Sequence, residues 1–131
     1  MASIQKEFEV AAAAHDVWDA VRDFAAVHTR LAPGFVTDSV MDGDSRLVTF
    51  SNGTSARELL VDCDDKKRRL VYAVISERIR QHSASVQIVE NGNGRSQFIW
   101  TVDVLPNEIA PYIGGQMDLS IAAMKKKLEG V

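Results

Sequence analysis

The stretch NEIAPYIGGQMDLSIAAMKKKL, Asn107 to Leu128, decides the fold. Ile113, Met117, Ile121, Met124 and Leu128 recur at spacings of four, four, three and four. An α-helix places residues so spaced on one face, which predicts a single long amphipathic helix. Gln116, Asp118, Lys125, Lys126 and Lys127 fall elsewhere on it. The three lysines stand near its end, where the helix dipole favours positive charge. Pro106 closes the preceding segment, Asn107 is a candidate cap, and Pro111 is tolerable because it lies in the first turn.

Upstream of this helix the periodicity changes from helical to alternating. Segments suited to strands run from Phe35 to Met41, Arg46 to Ser51, Ser55 to Cys63, Arg69 to Ser76, His82 to Val89 and Ser96 to Leu105. Turn signals separate them: Asp42-Gly43-Asp44, Asn52-Gly53, Asp64-Asp65-Lys66-Lys67 and Asn91-Gly92-Asn93-Gly94. Only the connection around Ile79 to Gln81 lacks a short turn signal. Short connections make neighbours in sequence neighbours in an antiparallel sheet. Before them come a first strand, Ile4 to Val10, and a helix carrying Val17, Trp18, Val21, Phe24 and Ala25 on one face. A second short helix, about 26 to 31, ends before Pro33-Gly34. The expectation is an α+β fold: a curved seven-stranded antiparallel sheet, two short helices, and a long C-terminal helix across the concave face.

Length and composition narrow the function classes. A chain of 131 residues with 46% apolar and 25% charged residues suits one domain, 1–131, with one core. A net charge of -3 argues against a nucleic-acid surface. No apolar run approaches the roughly 18 residues that a membrane span needs. Cys63 is the sole cysteine, so no intrachain disulfide forms, and a reducing, cytoplasmic setting is expected. A homodimer is left open.

Several local segments carry a family resemblance. They are Val17-Trp18-Asp19-Ala20-Val21 with Asp23-Phe24, then Ala32-Pro33-Gly34, Arg57-Glu58-Leu59, Asp64-Asp65 with Arg68-Arg69-Leu70-Val71-Tyr72, and Trp100 to Pro106. With the order of elements, they make the chain resemble the helix-grip superfamily of START lipid-transfer domains, the birch-pollen allergen, plant abscisic-acid receptors and polyketide cyclase/dehydrase-like proteins. The small bacterial polyketide cyclase-like members are the most similar. The resemblance covers nearly the whole chain. It implies a cavity for a small apolar molecule between sheet and helix, and it identifies a fold better than a function.

Strand parity supplies the candidate lining. Leu70, Tyr72 and Val74 share one face, as do Phe98, Trp100, Val102 and Val104, and as do Ala84, Val86 and Ile88 with His82. Met117, Ile121 and Met124 of the helix are placed to meet them, and methionines repack readily around apolar ligands. Glu58, His82 and Tyr72 stand out as polar groups. The segment Arg57-Glu58-Leu59 resembles the one that places a pocket carboxylate in the abscisic-acid receptors. In an apolar cavity the three would orient a ligand or shuttle a proton. Equally, Glu58 pairs with an arginine across the sheet, His82 caps a strand edge, and Tyr72 only packs.

Three functions follow as expectations: binding of a polyketide, lipid or aromatic metabolite; a cyclase or dehydratase using His82, Glu58 and Tyr72; or an interaction module with a vestigial cavity. No cofactor or metal is expected, since His15, His28 and His82 are too scattered for a zinc pattern. Cys63 between Asp62 and Asp64 makes a poor nucleophile. The basic run Lys66-Lys67-Arg68-Arg69 reads as a solvated turn. Gly114-Gly115 weakens the long helix by roughly 1 kcal/mol per glycine relative to alanine.

Overall fold

The computed structural model describes residues 2–77 and 79–130. Seven strands form one sheet: β1 (Ala2–Val10), β2 (Val36–Asp42), β3 (Ser45–Phe50), β4 (Ser55–Asp64), β5 (Arg69–Ile75), β6 (Gln81–Glu90) and β7 (Ser96–Leu105). Their order is β1-β7-β6-β5-β4-β3-β2, and every pairing is antiparallel. Strands β2 to β7 form a meander, and β1 joins it beside β7. Strand boundaries differ from those expected by at most two residues.

Alternation in β7 is complete: Ser96, Phe98, Trp100, Val102 and Val104 are buried, and the residues between them are half-exposed. These side chains floor the concave face. Helix α1 (Ala14–Arg22) buries Val17, Trp18 and Val21 against the same core. Helix α1 stops at Arg22, so Phe24 and Ala25, expected on it, instead lie in a 3₁₀ turn, Phe24–Ala26, and the second short helix expected at 26–31 is a wider π-type turn, Val27–Leu31. Helix α2 (Ala110–Leu128) crosses the concave face. The protein therefore has the α+β helix-grip architecture, with its long helix at the C-terminal end.

The expected helix cap needs correction. Asn107 does not cap α2: it opens a 3₁₀ turn, Asn107–Ile109, and neither helix start carries a side-chain cap. Pro111 near the start of α2 has no N–H, so one fewer donor is orphaned there. The Asn52-Gly53 turn lies in a four-residue loop, 51–54, one residue longer than the expected strand ends leave. Asn52 Oδ1 accepts from the Thr54 amide at 3.0 Å and from its hydroxyl at 2.7 Å, and Gly53 takes φ +86°.

The buried face of α2 is Met117, Ser120 and Met124, with Ile113, Ile121 and Leu128 half-buried. Ser120 was not foreseen. It stands where α2 meets the Val27–Leu31 turn, a close approach that favours a small side chain. No helix among the described residues is long and apolar enough to cross a membrane.

Candidate ligand cavity

A cavity of about 870 Å³ lies between the concave face and the first half of α2. Its floor is Phe50, Ser55, Ala56, Glu58, Tyr72, Val74, His82, Trp100 and Val102, one to three residues from each strand from β3 to β7. Its roof is Ile109, Tyr112, Ile113, Gln116 and Met117. Phe35, Ser76, Glu77, Ile79 and Glu108 also border it, from the loops at one end of the sheet. The volume falls in the range of about 300 to 1,000 Å³ typical of small-molecule sites. A smaller void of about 60 Å³ lies deeper, against the Val27–Leu31 turn.

The structure divides the residues expected to line the cavity. Glu58, Tyr72, Val74, His82, Trp100, Val102 and Met117 border it. Leu70, Val86 and Met124 border the smaller void instead. Ala84, Phe98 and Ile121 border neither. Parity chose the right face but not the position along each strand. Phe98 lies two residues from the end of β7 that pairs with Val10, just before α1, and stacks on Phe8 with ring centroids 4.6 Å apart. Ala84, paired with Tyr72 and Val102, is too short to reach past them. Ile121 is half-buried on the flank of α2.

Other lining residues were missed. Phe50 shares the parity of Val48 and so was legible in β3; Phe35, expected to open the second strand, precedes β2 and meets Phe50 with ring centroids 5.4 Å apart. Gln116, assigned to the outer face of the helix, borders the cavity.

Glu58 is already engaged. Its Oε1 accepts from Arg46 Nε at 2.8 Å and lies 2.7 Å from Arg46 Nη2. Both side chains are at least nine-tenths buried. Arg46 Nη1 donates to the Phe24 carbonyl at 2.9 Å, and its guanidinium lies 3.8 Å from the centre of the Phe24 ring. The pair arises because Arg46 and Glu58 face each other in the β3–β4 register. It is the cross-sheet arginine pairing weighed from the sequence.

The remaining polar groups of the floor are uncharged. Burial holds the His82 imidazole below its ordinary pKa, against an opposing pull from Glu58. Burial pushes the Tyr72 phenol well above its usual range, and Glu58 adds to that. His82 forms no ion pair with any described carboxylate, and its Nδ1 is buried without a hydrogen-bond partner. The Trp100 indole lies beside the Tyr72 phenol and slightly favours its ionised form, yet Nε1–H completes no hydrogen bond to a described residue.

Elsewhere, burial and then Asp65 raise the Cys63 thiol, in keeping with an inert cysteine. The hairpin acid Asp65 accepts from Trp18 Nε1 at 2.9 Å and Arg22 Nε at 2.8 Å, anchoring α1. Among the described residues no cluster of histidine, cysteine and acidic side chains is arranged to hold a metal ion.

The fold is shared with solved structures. A protein from Thermobifida fusca is 29% identical, with a TM-score of 0.79, over 98% of this chain and 91% of that one. Truncated norcoclaurine synthase from Thalictrum flavum is 20% identical, with a TM-score of 0.76, over 95% and 91%; that enzyme is also solved in complex with dopamine and hydroxybenzaldehyde. A START superfamily protein from Mycobacterium smegmatis is 17% identical, with a TM-score of 0.71, over 98% and 94%. No curated protein matches the chain. The family model described as polyketide cyclase / dehydrase and lipid transport matches residues 1–129, and the chain belongs to that family.

Proposed function

We propose that this protein binds a small hydrophobic molecule, a polyketide, lipid or aromatic metabolite, between α2 and the concave face of the sheet. The observation that carries the reading is the cavity of about 870 Å³, whose walls are mainly apolar and aromatic with a few inward polar groups. Family membership supports it. So does the aromatic pair held by norcoclaurine synthase, whose fold is the same.

A second reading, an acid–base enzyme, draws on His82 and Tyr72 bordering one cavity. A neutral imidazole there is a competent proton acceptor. Against it, Glu58 is committed to Arg46, and among the described residues His82 has no carboxylate partner to orient it. Catalysis by the set would require the Arg46–Glu58 pair to open.

Titration with the neutral solvatochromic dye Nile red tests the binding reading. The native protein is expected to shift and brighten the emission, and Met117→Trp, which fills the roof, to abolish the effect without unfolding the chain. A folded protein that leaves the dye unchanged would overturn the reading.

A further inference from the structure

We infer that the outer face of α2 is an interface with a second copy of this chain, the two helices packing antiparallel about a twofold axis level with Met117. The inference does not depend on what the cavity binds.

The helix and the turn before it carry two stripes. One faces the core. The other is Glu108, Tyr112, Gly115, Leu119, Ala122 and Lys126, at spacings of four, three, four, three and four. All six are exposed. This alternation of three and four is the repeat by which helices pair along a seam. A helix that only meets water on its outer side is polar there as a rule. The middle of this stripe is apolar instead: Tyr112 is 55% exposed and Leu119 57%. Tyr112 borders the cavity and contacts Asn52 through its hydroxyl, which leaves much of its ring outside. At Gly115 an added Cβ would meet nothing within 4 Å, so the surface dips there without being covered.

The order of residues along the stripe identifies what covers it. With a second copy run antiparallel and Glu108 set against the partner's Lys126, Tyr112 falls opposite the partner's Ala122 and Leu119 opposite the partner's Gly115. All three pairs are centred on position 117, so one register satisfies them together. Each large side chain then meets a small one, and each acid meets a base. The twofold axis makes every such contact twice. A parallel pair would instead set acid on acid, base on base, and tyrosine on tyrosine. The antiparallel arrangement also opposes the helix dipoles. Among the described residues neither Glu108 nor Lys126 is tied to a charge within its own chain; the neighbouring Lys125 and Asp118 are, to Glu129 and Lys6. The stripe runs along the half of α2 before Met117, which buries none of its own side chains in the monomer. A second copy would brace that half from outside.

Sedimentation equilibrium of the whole chain at pH 7.5 and low salt tests this, with circular dichroism as the check on folding. The native chain is expected to be mainly dimeric at about 1 mM, since a seam of this length makes a small interface. Leu119→Asp should leave it monomeric. Lys126→Glu sets like charges opposite each other at both ends and should weaken dimerisation by about tenfold. Adding Glu108→Lys to Lys126→Glu restores opposite charges and should return the dissociation constant to within about threefold of the native value. All three positions are exposed, so the monomer fold is expected to survive each change. A native chain that stays monomeric would overturn the inference. A dimer that Leu119→Asp leaves intact would place the interface elsewhere and overturn it equally. A double charge reversal no better than Lys126→Glu alone would overturn the antiparallel register.

Discussion

The two halves of α2 face the same sheet, yet only the second buries side chains fully; the first meets the core with the half-buried Ala110 and Ile113. From Met117 onward the helix buries Met117, Ser120 and Met124. That half is also tied to the first strand: Lys6 Nζ lies 3.1 Å from Asp118, Lys125 Nζ donates to the Glu9 carbonyl at 2.7 Å, and Glu129 accepts from the Ala11 amide at 2.9 Å. Before Met117 no residue of the helix is buried. Its polar tie to the sheet is a 3.4 Å contact from Asn52 Nδ2 to the exposed Tyr112 hydroxyl. The helix is held at one end and roofs a cavity with the other. An unfilled volume survives because the packed half fixes the helix at a distance that the floor residues of the open half do not span.

The sharpest way to break this comparison is to remove one apolar side chain from each end. Phe98→Ala, at the filled end where Phe98 is 0% exposed, is expected to cost about 3–5 kcal/mol. Ile113→Ala, on the roof of the cavity, opens no new void and should cost about 1 kcal/mol. Urea denaturation midpoints read both. Equal costs would mean that the cavity closes in solution.

Glu58→Gln probes the boundary between the two ends. It leaves the buried Arg46 guanidinium without a counter-charge, and a loss of about 2–3 kcal/mol is expected by the same measurement. The double replacement Arg46→Met with Glu58→Leu should recover most of that loss, because the pair's desolvation cost disappears with it.

A smaller effect of opposite sign is expected in the roof. A Cβ at Gly114 or Gly115 meets nothing within 4 Å, and neither residue has positive φ. Each glycine-to-alanine change should stabilise the protein by about 1 kcal/mol, seen as a higher Tm. Faster ligand exchange in the native protein than in the double alanine variant would show that flexing of this half admits the ligand.

The smallest effect concerns pH. His82 in the folded protein titrates below its ordinary value of 6.5, chiefly through burial. As pH falls below about 6.5 the unfolded chain takes up the proton first, so stability drops until the folded-state pKa is passed. Above 6.5 the contribution is complete. His82→Gln should flatten the dependence of the denaturation midpoint between pH 7.5 and 5, and an unchanged slope would place the imidazole in solvent.

Much of this was legible before any tertiary structure. The stripe Ile113 to Leu128 marked the sheet-facing side of the helix, and strand alternation marked the inward face of β5, β6 and β7. These are local properties: side-chain direction repeats every 3.6 residues in a helix and every two in a strand, so hydrophobic spacing reports it directly. The type and order of nearly all elements follow from the same signal and from the turn residues between them.

Depth along each strand and the partners of buried charges belong to the tertiary structure. Phe98 and Trp100 have the same parity and neighbouring positions, but only Trp100 borders the cavity, because α1 and β1 fill one end of the floor and not the other. Glu58 looked available until the β3–β4 register set Arg46 opposite it. Ser120 is buried and Gln116 turned to the cavity because of where α2 crosses the sheet. Periodicity specifies a direction, while a cavity depends on distances between elements far apart in sequence, and these are fixed only when the helix docks.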